Sequence, residues 1–149
     1  MRAAVALALV LALATVFVPA TTAGTEDGGE LARPQAAREG ALTSGGSFYV
    51  EWWPEPTPVP LNEMFAIGFR VLAPDDRATL VSGAALTARA WMPEHNHGTP
   101  LEPRIEAHGD GTFTGHGFLL QMEGHWELRV GVAADGRMER AVFDIELAP

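Results

Sequence analysis

A thioether and two imidazoles lie within six positions of each other, in Met92, His95 and His97. Downstream, Met122 and His125 form a second pair of the same kind. Thioether sulfur is a soft ligand and imidazole a borderline one, so together they suit copper, with Met favouring Cu(I), far better than magnesium or calcium. The sequence therefore predicts a copper site of these five ligands, provided that the fold brings the two groups together.

Each of the five residues also has an ordinary interpretation. Met92 and Met122 suit gap-filling positions in a core, a common use of Met. His125 suits either a ligand or a hydrogen-bonded surface residue. His95 and His97 are harder to explain by packing, because two His in a His-x-His loop seldom serve a core. These two residues carry the metal hypothesis.

The remaining histidines, His108 and His116, are expected outside the site, as solvated or hydrogen-bonded side chains. Superoxide dismutase sandwiches also use His-x-His. This chain, however, has no Cys for a disulfide, and no further predicted strand has the matching His spacing. No Ser lies in a turn typical of a nucleophile. The sequence therefore predicts a protein without catalytic activity.

The chain begins like an exported protein. Arg2 precedes an apolar run from Ala3 to Val18, and small residues follow Pro19. This order is typical of a secretory signal peptide, predicted over residues 1–23. The alternative is an uncleaved N-terminal anchor, since the run approaches the roughly 17-residue lower limit for a spanning helix. We expect a periplasmic or secreted protein, or one anchored by this segment with its domain outside.

Charge and cysteine content narrow the function further. Removing residues 1–23 takes away only Arg2, so nine Arg and no Lys face 19 acidic residues, for a net charge of −10. Such a surface argues against nucleic acid, whose binding depends on phosphate neutralisation. The absence of Cys excludes a blue-copper electron-transfer site, which needs a thiolate. It also leaves an exported domain to be held by its core alone.

Beyond the signal peptide, residues 24–46 are rich in Gly, Ala and charge without apolar periodicity, which predicts a flexible leader. From residue 47 to residue 149 the chain alternates between short β-type runs and turn residues. The predicted strands are Phe48–Trp53, Met64–Leu72, Ala84–Met92, Arg104–His108, Thr112–Met122, Trp126–Ala133 and Glu139–Leu147. Several alternate with period two, as half-buried strands do. About seven strands in roughly 100 residues predict an all-β fold, a single immunoglobulin-like antiparallel β-sandwich.

Alternation also predicts where the ligands point. With Ala90 on the core, Met92 continues the inward face while Trp91 faces out. The short connection between Thr112–Met122 and Trp126–Ala133 predicts that these two strands pair as a hairpin. His125 at its tip would then lie beside the other ligands.

Several segments resemble the YtkA-like and FixH-like exported domains. They are Phe48-Tyr49-Val50, Pro58-Val59-Pro60-Leu61-Asn62-Glu63, Trp91-Met92-Pro93-Glu94-His95-Asn96-His97-Gly98, Gly109-Asp110-Gly111-Thr112-Phe113 and Met122-Glu123-Gly124-His125-Trp126-Glu127-Leu128. Members are bacterial β-sandwich proteins, some of them associated with copper handling or with assembly of copper-containing oxidases. The resemblance implies Met92, His95, His97 and Met122 as copper ligands. Members often have extra Met in the first loop, where this chain has Glu94 and Asn96, so its site is poorer in sulfur.

Two functions follow from the sequence. The first is an exported copper-binding protein, acting as a chaperone, a resistance factor or an oxidase-assembly factor. Its partners would be a copper-donor or copper-acceptor protein, with a membrane involved only if the N-terminal segment is uncleaved. The alternative is a non-metal interaction or structural module in the cell envelope, in which the same residues serve as core and scaffold.

Overall fold

A computed structural model describes residues 38–148, and this part of the chain consists of strands and turns without a helix. The nine strands are β1 (Glu39–Leu42), β2 (Tyr49–Glu55), β3 (Met64–Leu72), β4 (Ala85–Met92), β5 (His97–Gly98), β6 (Arg104–Ala107), β7 (Thr112–Leu119), β8 (Gly124–Ala134) and β9 (Arg137–Leu147). The predicted signal peptide lies outside the described residues. No helix within residues 38–148 has the length and apolar character needed to cross a membrane.

The strands form two antiparallel sheets. The first sheet has the order β1-β2-β3-β7-β6 and the second has the order β5-β4-β8-β9. Their inner faces meet in a common core whose largest fully buried side chains include Phe69, Phe118 and Trp126. The predicted all-β antiparallel sandwich is therefore confirmed, with two more strands than the sequence indicated.

Period-two patterning explains how each strand contributes to this core. Along β4, Leu86, Ala88, Ala90 and Met92 are buried, while the residues between them are exposed or half-buried. The same alternation runs along β8 from Trp126. A strand with one face on a core buries every second side chain, so the apolar pattern fixes which residues point inward at the end of each strand.

The predicted hairpin between the fifth and sixth runs is wrong. β7 pairs with β3 and β6, whereas β8 pairs with β4 and β9. Residues 120–123 carry the chain from one sheet to the other, with Leu120 fully buried between them. A short Gly-containing connection suits a sheet crossing as well as a hairpin. The hairpin partner of β8 is β9, joined by Asp135 and Gly136, both at positive φ as a two-residue hairpin turn requires.

The predicted leader over residues 24–46 also needs correction at its C-terminal end. Glu39–Leu42 forms β1, in antiparallel register with β2. With only two apolar residues, this strand has no sequence signal. Main-chain hydrogen bonds to β2 supply its order, and Tyr49 lies directly against Gly40. Residues 24–37 of the predicted leader lie outside the described residues.

Antiparallel pairing gathers several strand ends at one end of the sandwich. β4 ends there at Met92, β5 folds back beside it, and β8 starts there at Gly124. The crossing segment 120–123 arrives at the same end, since its last residue precedes Gly124. The candidate ligands on these segments are therefore neighbours in the fold.

Candidate functional site

Met92 and His97 are register partners, at the end of β4 and the start of β5. Residues directly opposite each other in an antiparallel pair project on the same face of the sheet. Met92 is fully buried, at 1% exposure, so that face is the inner one. His97 is half-buried, and its ring lies edge-on to Trp126 with ring centres 5.8 Å apart. The sequence prediction that Met92 points inward is confirmed.

His95 lies in the turn that joins β4 to β5. Asn96 adopts a left-handed φ of 53°, and its N–H donates to the Pro93 carbonyl at 3.2 Å. The turn thus reverses at Asn96 and not at Gly98. Gly98 instead allows a close approach, since a Cβ there would lie 3.2 Å from the Ala90 carbonyl oxygen.

The turn brings the two imidazoles together, with the ring centres of His95 and His97 5.8 Å apart and tilted by 52°. Two imidazoles bound to one metal through bonds of about 2.0 Å have ring centres no more than roughly 6 Å apart. The observed separation is within that limit at a wide N–metal–N angle. The separation of the two rings is compatible with their binding a single ion.

The hydrogen bonding of His97 leaves a ligand nitrogen available. Its Nδ1 lies 2.9 Å from the Gly98 carbonyl oxygen. A carbonyl only accepts, so Nδ1 carries the proton and Nε2 keeps its lone pair. Metal-binding His commonly donates its second N–H in this way, which fixes the tautomer and the ring orientation.

Met122 lies on the crossing segment, half-buried against the core. Its carbonyl oxygen accepts a hydrogen bond from Trp126 Nε1 at 3.0 Å, and the same indole contacts His97. Gly124 lies next to Met92 at this end, since a Cβ on Gly124 would be 3.1 Å from the Met92 methyl carbon. Trp126 and Gly124 thus connect the two halves of the predicted site.

His125 does not join them, which corrects the predicted ligand set. Trp126 faces the core, so His125, its neighbour on β8, projects from the outer face of the sheet. Its Nδ1 lies 2.6 Å from Glu146 Oε1 and its Nε2 lies 3.4 Å from Asp144 Oδ1. The hydrogen bond to Glu146 raises the pKa of His125 above its ordinary value. An acidic group lies near each nitrogen, and these groups favour the protonated ring over the neutral ring that a metal needs.

The expectation that His108 and His116 lie apart agrees with their positions on the other sheet. His108 Nε2 lies 3.0 Å from Thr114 Oγ1, and His116 Nε2 lies 3.4 Å from Glu106. Both are exposed or half-buried with polar partners. They serve as matched controls for the two loop histidines.

Within residues 38–148, no group of three or more His, Cys, Asp or Glu side chains is arranged to hold a metal ion. The candidate side-chain donors at this end are two imidazoles and two thioethers. That donor set, two imidazoles with Met92 and Met122, suits copper and poorly suits hard cations. Whether copper binds stays a prediction.

One polar residue at this end was missed by sequence reasoning. Gln121 has a buried side-chain oxygen that meets no hydrogen-bond partner in the described part of the chain. Buried polar groups are usually paired, so such an atom needs an explanation. The sequence marks Gln121 only by its position next to the candidate ligand Met122.

The geometry defines a single antiparallel β-sandwich with a Met/His cluster at one end. The family model described as YtkA-like matches residues 61–131, which include Met92, His95, His97 and Met122. The resemblance to YtkA-like domains predicted from the sequence is therefore confirmed.

Structural comparison supports the fold. The crystal structure of a DUF4426 family protein from Pseudomonas aeruginosa PAO1 is similar to this chain, with a TM-score of 0.53 and 15% sequence identity. The similarity covers 75% of this chain and 95% of that chain. At this identity it shows the β-sandwich fold alone. Comparison with curated proteins found no match.

Proposed function

We propose that this chain is an exported copper-binding protein that holds Cu(I) as cargo at the Met/His end of its sandwich. The ligands are His95 and His97 with the thioethers of Met92 and Met122. The observation that carries the proposal is the tie between His97 Nδ1 and the Gly98 carbonyl. In the neutral ring this hydrogen bond leaves the Nε2 lone pair free. His97 projects on the same sheet face as Met92. The ring centres of His95 and His97 are 5.8 Å apart.

Cu(I) is favoured over Cu(II) because sulfur must complete the site. Within residues 38–148 no group of three His, Cys, Asp or Glu side chains is arranged to hold a metal, so we assign the remaining ligands to the two thioethers. Thioethers bind the soft Cu(I) ion better than Cu(II). Glu94 precedes His95, but a carboxylate is a hard ligand that suits Cu(I) poorly, so we assign it a contribution of charge near the loop and no ligand role.

Such a protein captures and releases copper and needs no catalytic residues. A loop-borne site with an exposed His95 suits transfer to a donor or acceptor protein, because an incoming ligand can reach the metal from solvent. An acidic chain also attracts cations over a distance. Export to the periplasm or out of the cell is consistent with the signal peptide predicted over residues 1–23.

The test is a Cu(I) titration of the mature chain, residues 24–149, against a chromophoric Cu(I) chelator. We expect one copper per chain, and loss of binding in the H95A/H97A double variant. The matched control, H108A/H116A, removes two imidazoles from the other sheet and should bind as the wild type does. Equal binding by both double variants would exclude the loop histidines.

A second pair of variants tests the thioether ligands. Met122→Leu removes the sulfur from a half-buried position, while Met138→Leu removes it from a side chain that is 85% exposed on β9. We expect the first change to weaken Cu(I) binding and the second to leave it unchanged. Substitution by Leu keeps the volume, so the core is preserved.

The second candidate is a non-metal interaction or structural module in the cell envelope. The burial of Met92 and the edge-on packing of His97 on Trp126 favour it, since each already has a structural use. Under this function neither Cu(I) nor Cu(II) binds tighter than micromolar, and H95A/H97A lowers stability instead. Denaturation of the metal-free variants separates the two candidates.

A further inference from the structure

The outer face of the β5-β4-β8-β9 sheet is uncovered within residues 38–148, and its side chains form rows across the strands. Cross-strand register defines four of them: Thr87, Gly131 and Arg140; Arg89, Arg129 and Val142; Trp91, Glu127 and Asp144; and His125 with Glu146. The first two rows, here called the basic rows, carry arginine. The last two, the acidic rows, carry carboxylates. Charge is thus segregated along the strand direction on a single face.

The basic rows contain an unfavourable pair. Arg89 and Arg129 are register partners, and like charges directly opposite each other destabilise a sheet. Both guanidinium groups lie over the ring of Trp91, at 5.7 and 5.1 Å from its centre. Glu127 binds Arg129 at 2.6 Å, so one carboxylate serves two arginines. An added carboxylate would relieve this pair.

The basic rows also lie in a groove of about 1170 Å³. Its walls include three exposed apolar side chains, Leu101 from the β5–β6 connection and Met138 and Val142 from β9. Gly131 contributes no side chain, and Thr87 Oγ1 lies 2.6 Å from where its Cβ would project. The groove is therefore recessed and partly apolar. Its lining holds three arginines and two carboxylates, Glu102 and Glu139, and Glu139 is already hydrogen-bonded to Thr43 and Ser47.

Apart from Trp91, the residues of the acidic rows lie outside the groove. The side chains of Asp144 and Glu146 are 75% and 73% exposed, and neither lines the groove. One half of the face thus carries three arginines and the other half three carboxylates. Such a surface is complementary to itself once its row order is reversed.

We infer that the occupant of this groove is a second copy of the chain, packed face to face about a two-fold axis that lies between the sheets and runs perpendicular to the strands. This rotation keeps each strand opposite its own copy and reverses the rows. Arg140 then faces Glu146 of the partner subunit, and Arg89 and Arg129 face the row of the partner subunit's Glu127. A two-fold interface of this kind uses one patch on both copies.

The area predicts a weak association. Three long strands spaced about 4.8 Å apart, each roughly 30 Å long, present about 500 Å² per copy, or about 1,000 Å² in total. That is the lower limit for a specific interface. The dimer should therefore form in the micromolar range and dissociate on dilution. It does not depend on copper, because the Met/His cluster projects on the inner face.

The experiment is sedimentation velocity of the metal-free mature chain, wild type and charge-reversal variants, over a range of concentrations. R89E/R140E makes both halves acidic, and D144R/E146R makes both halves basic. We expect a concentration-dependent dimer for the wild type and monomers for each variant alone. An equimolar mixture of the two variants should regain the dimer, since each then faces its opposite.

The D144R/E146R variant distinguishes local pairing from overall charge. It lowers the net negative charge of the chain, which by itself favours association, yet the pairing of rows requires it to be monomeric. R77E/R104E is the matched control for arginine reversal, with both changes away from this face, and should dimerise as the wild type does. A monomeric wild type, stronger dimers of D144R/E146R, or no recovery on mixing would each overturn the proposal.

Discussion

Replacing Met92 separates its structural use from its proposed chemical one. The side chain is 1% exposed, at the end of β4, with its methyl group against Gly124. Met92→Ala removes buried volume and leaves a cavity, which costs about 2–5 kcal/mol. Met92→Leu keeps the volume without the sulfur and costs less than about 1.5 kcal/mol.

These costs translate into melting temperatures. For a domain of roughly 100 residues, 1 kcal/mol shifts Tm by about 4 °C or slightly more. Metal-free Met92→Ala should therefore melt roughly 8–20 °C below the wild type, and Met92→Leu within about 6 °C of it. Urea denaturation followed by Trp fluorescence gives the same order on a free-energy scale. A Met92→Ala variant as stable as the wild type would refute the assigned burial.

Copper affinity is the second readout on the same proteins. Losing one of two thioethers should weaken Cu(I) binding by at least about tenfold, equal to 1.4 kcal/mol. Met92→Leu is the informative variant because its fold is preserved. Wild-type affinity in Met92→Leu would show that the residue is core alone and would remove it from the site.

Three further outcomes follow from the structure. In Gly124→Ala, the alanine must adopt a φ of 109° and its Cβ lies 3.1 Å from the Met92 methyl carbon. We therefore expect urea denaturation to show a free energy of unfolding lower by about 1–3 kcal/mol. Wild-type stability would contradict this geometry. Hydrogen bonds from the Ser47 side chain and neighbouring groups lower the pKa of Glu139 from 4.5 to about 2. Its stabilisation is therefore complete above pH 4.5 and is lost as the pH falls toward 2, and Glu139→Gln should flatten this part of the stability–pH curve. The hydrogen bond from Glu146 raises the pKa of His125, so an NMR titration should show its pKa falling toward the ordinary value in Glu146→Gln; no change would exclude that ion pair.

The sequence predicted the faces of the strands well because alternation and burial share one physical cause. A period of two along Leu86, Ala88 and Ala90 correctly put Met92 on the core and Trp91 on the outer face. Applied strictly to β8, the same rule places His125 outward, opposite to the buried Trp126. The error there came from the assumed hairpin tip, not from the alternation.

Long-range pairing was the part that local sequence did not determine. A connection containing Glu123 and Gly124 suits either a hairpin or a crossing between sheets, and only the packing of Leu120 between the sheets separates the two. Glu39–Leu42 lacks a strand pattern because its order comes from main-chain pairing with β2. The turn at Asn96 was missed since Gly98 is the residue that ordinarily marks such a bend.

The central claim is that the Met/His cluster holds Cu(I) through both imidazole and thioether ligands. X-ray absorption spectroscopy of the mature chain loaded with one equivalent of Cu(I) tests it most directly. We expect scattering from sulfur and from imidazole in the same spectrum, with the imidazole part lost in H95A/H97A. A chain that binds no Cu(I) tighter than micromolar, or a spectrum that does not change in that variant, would contradict it.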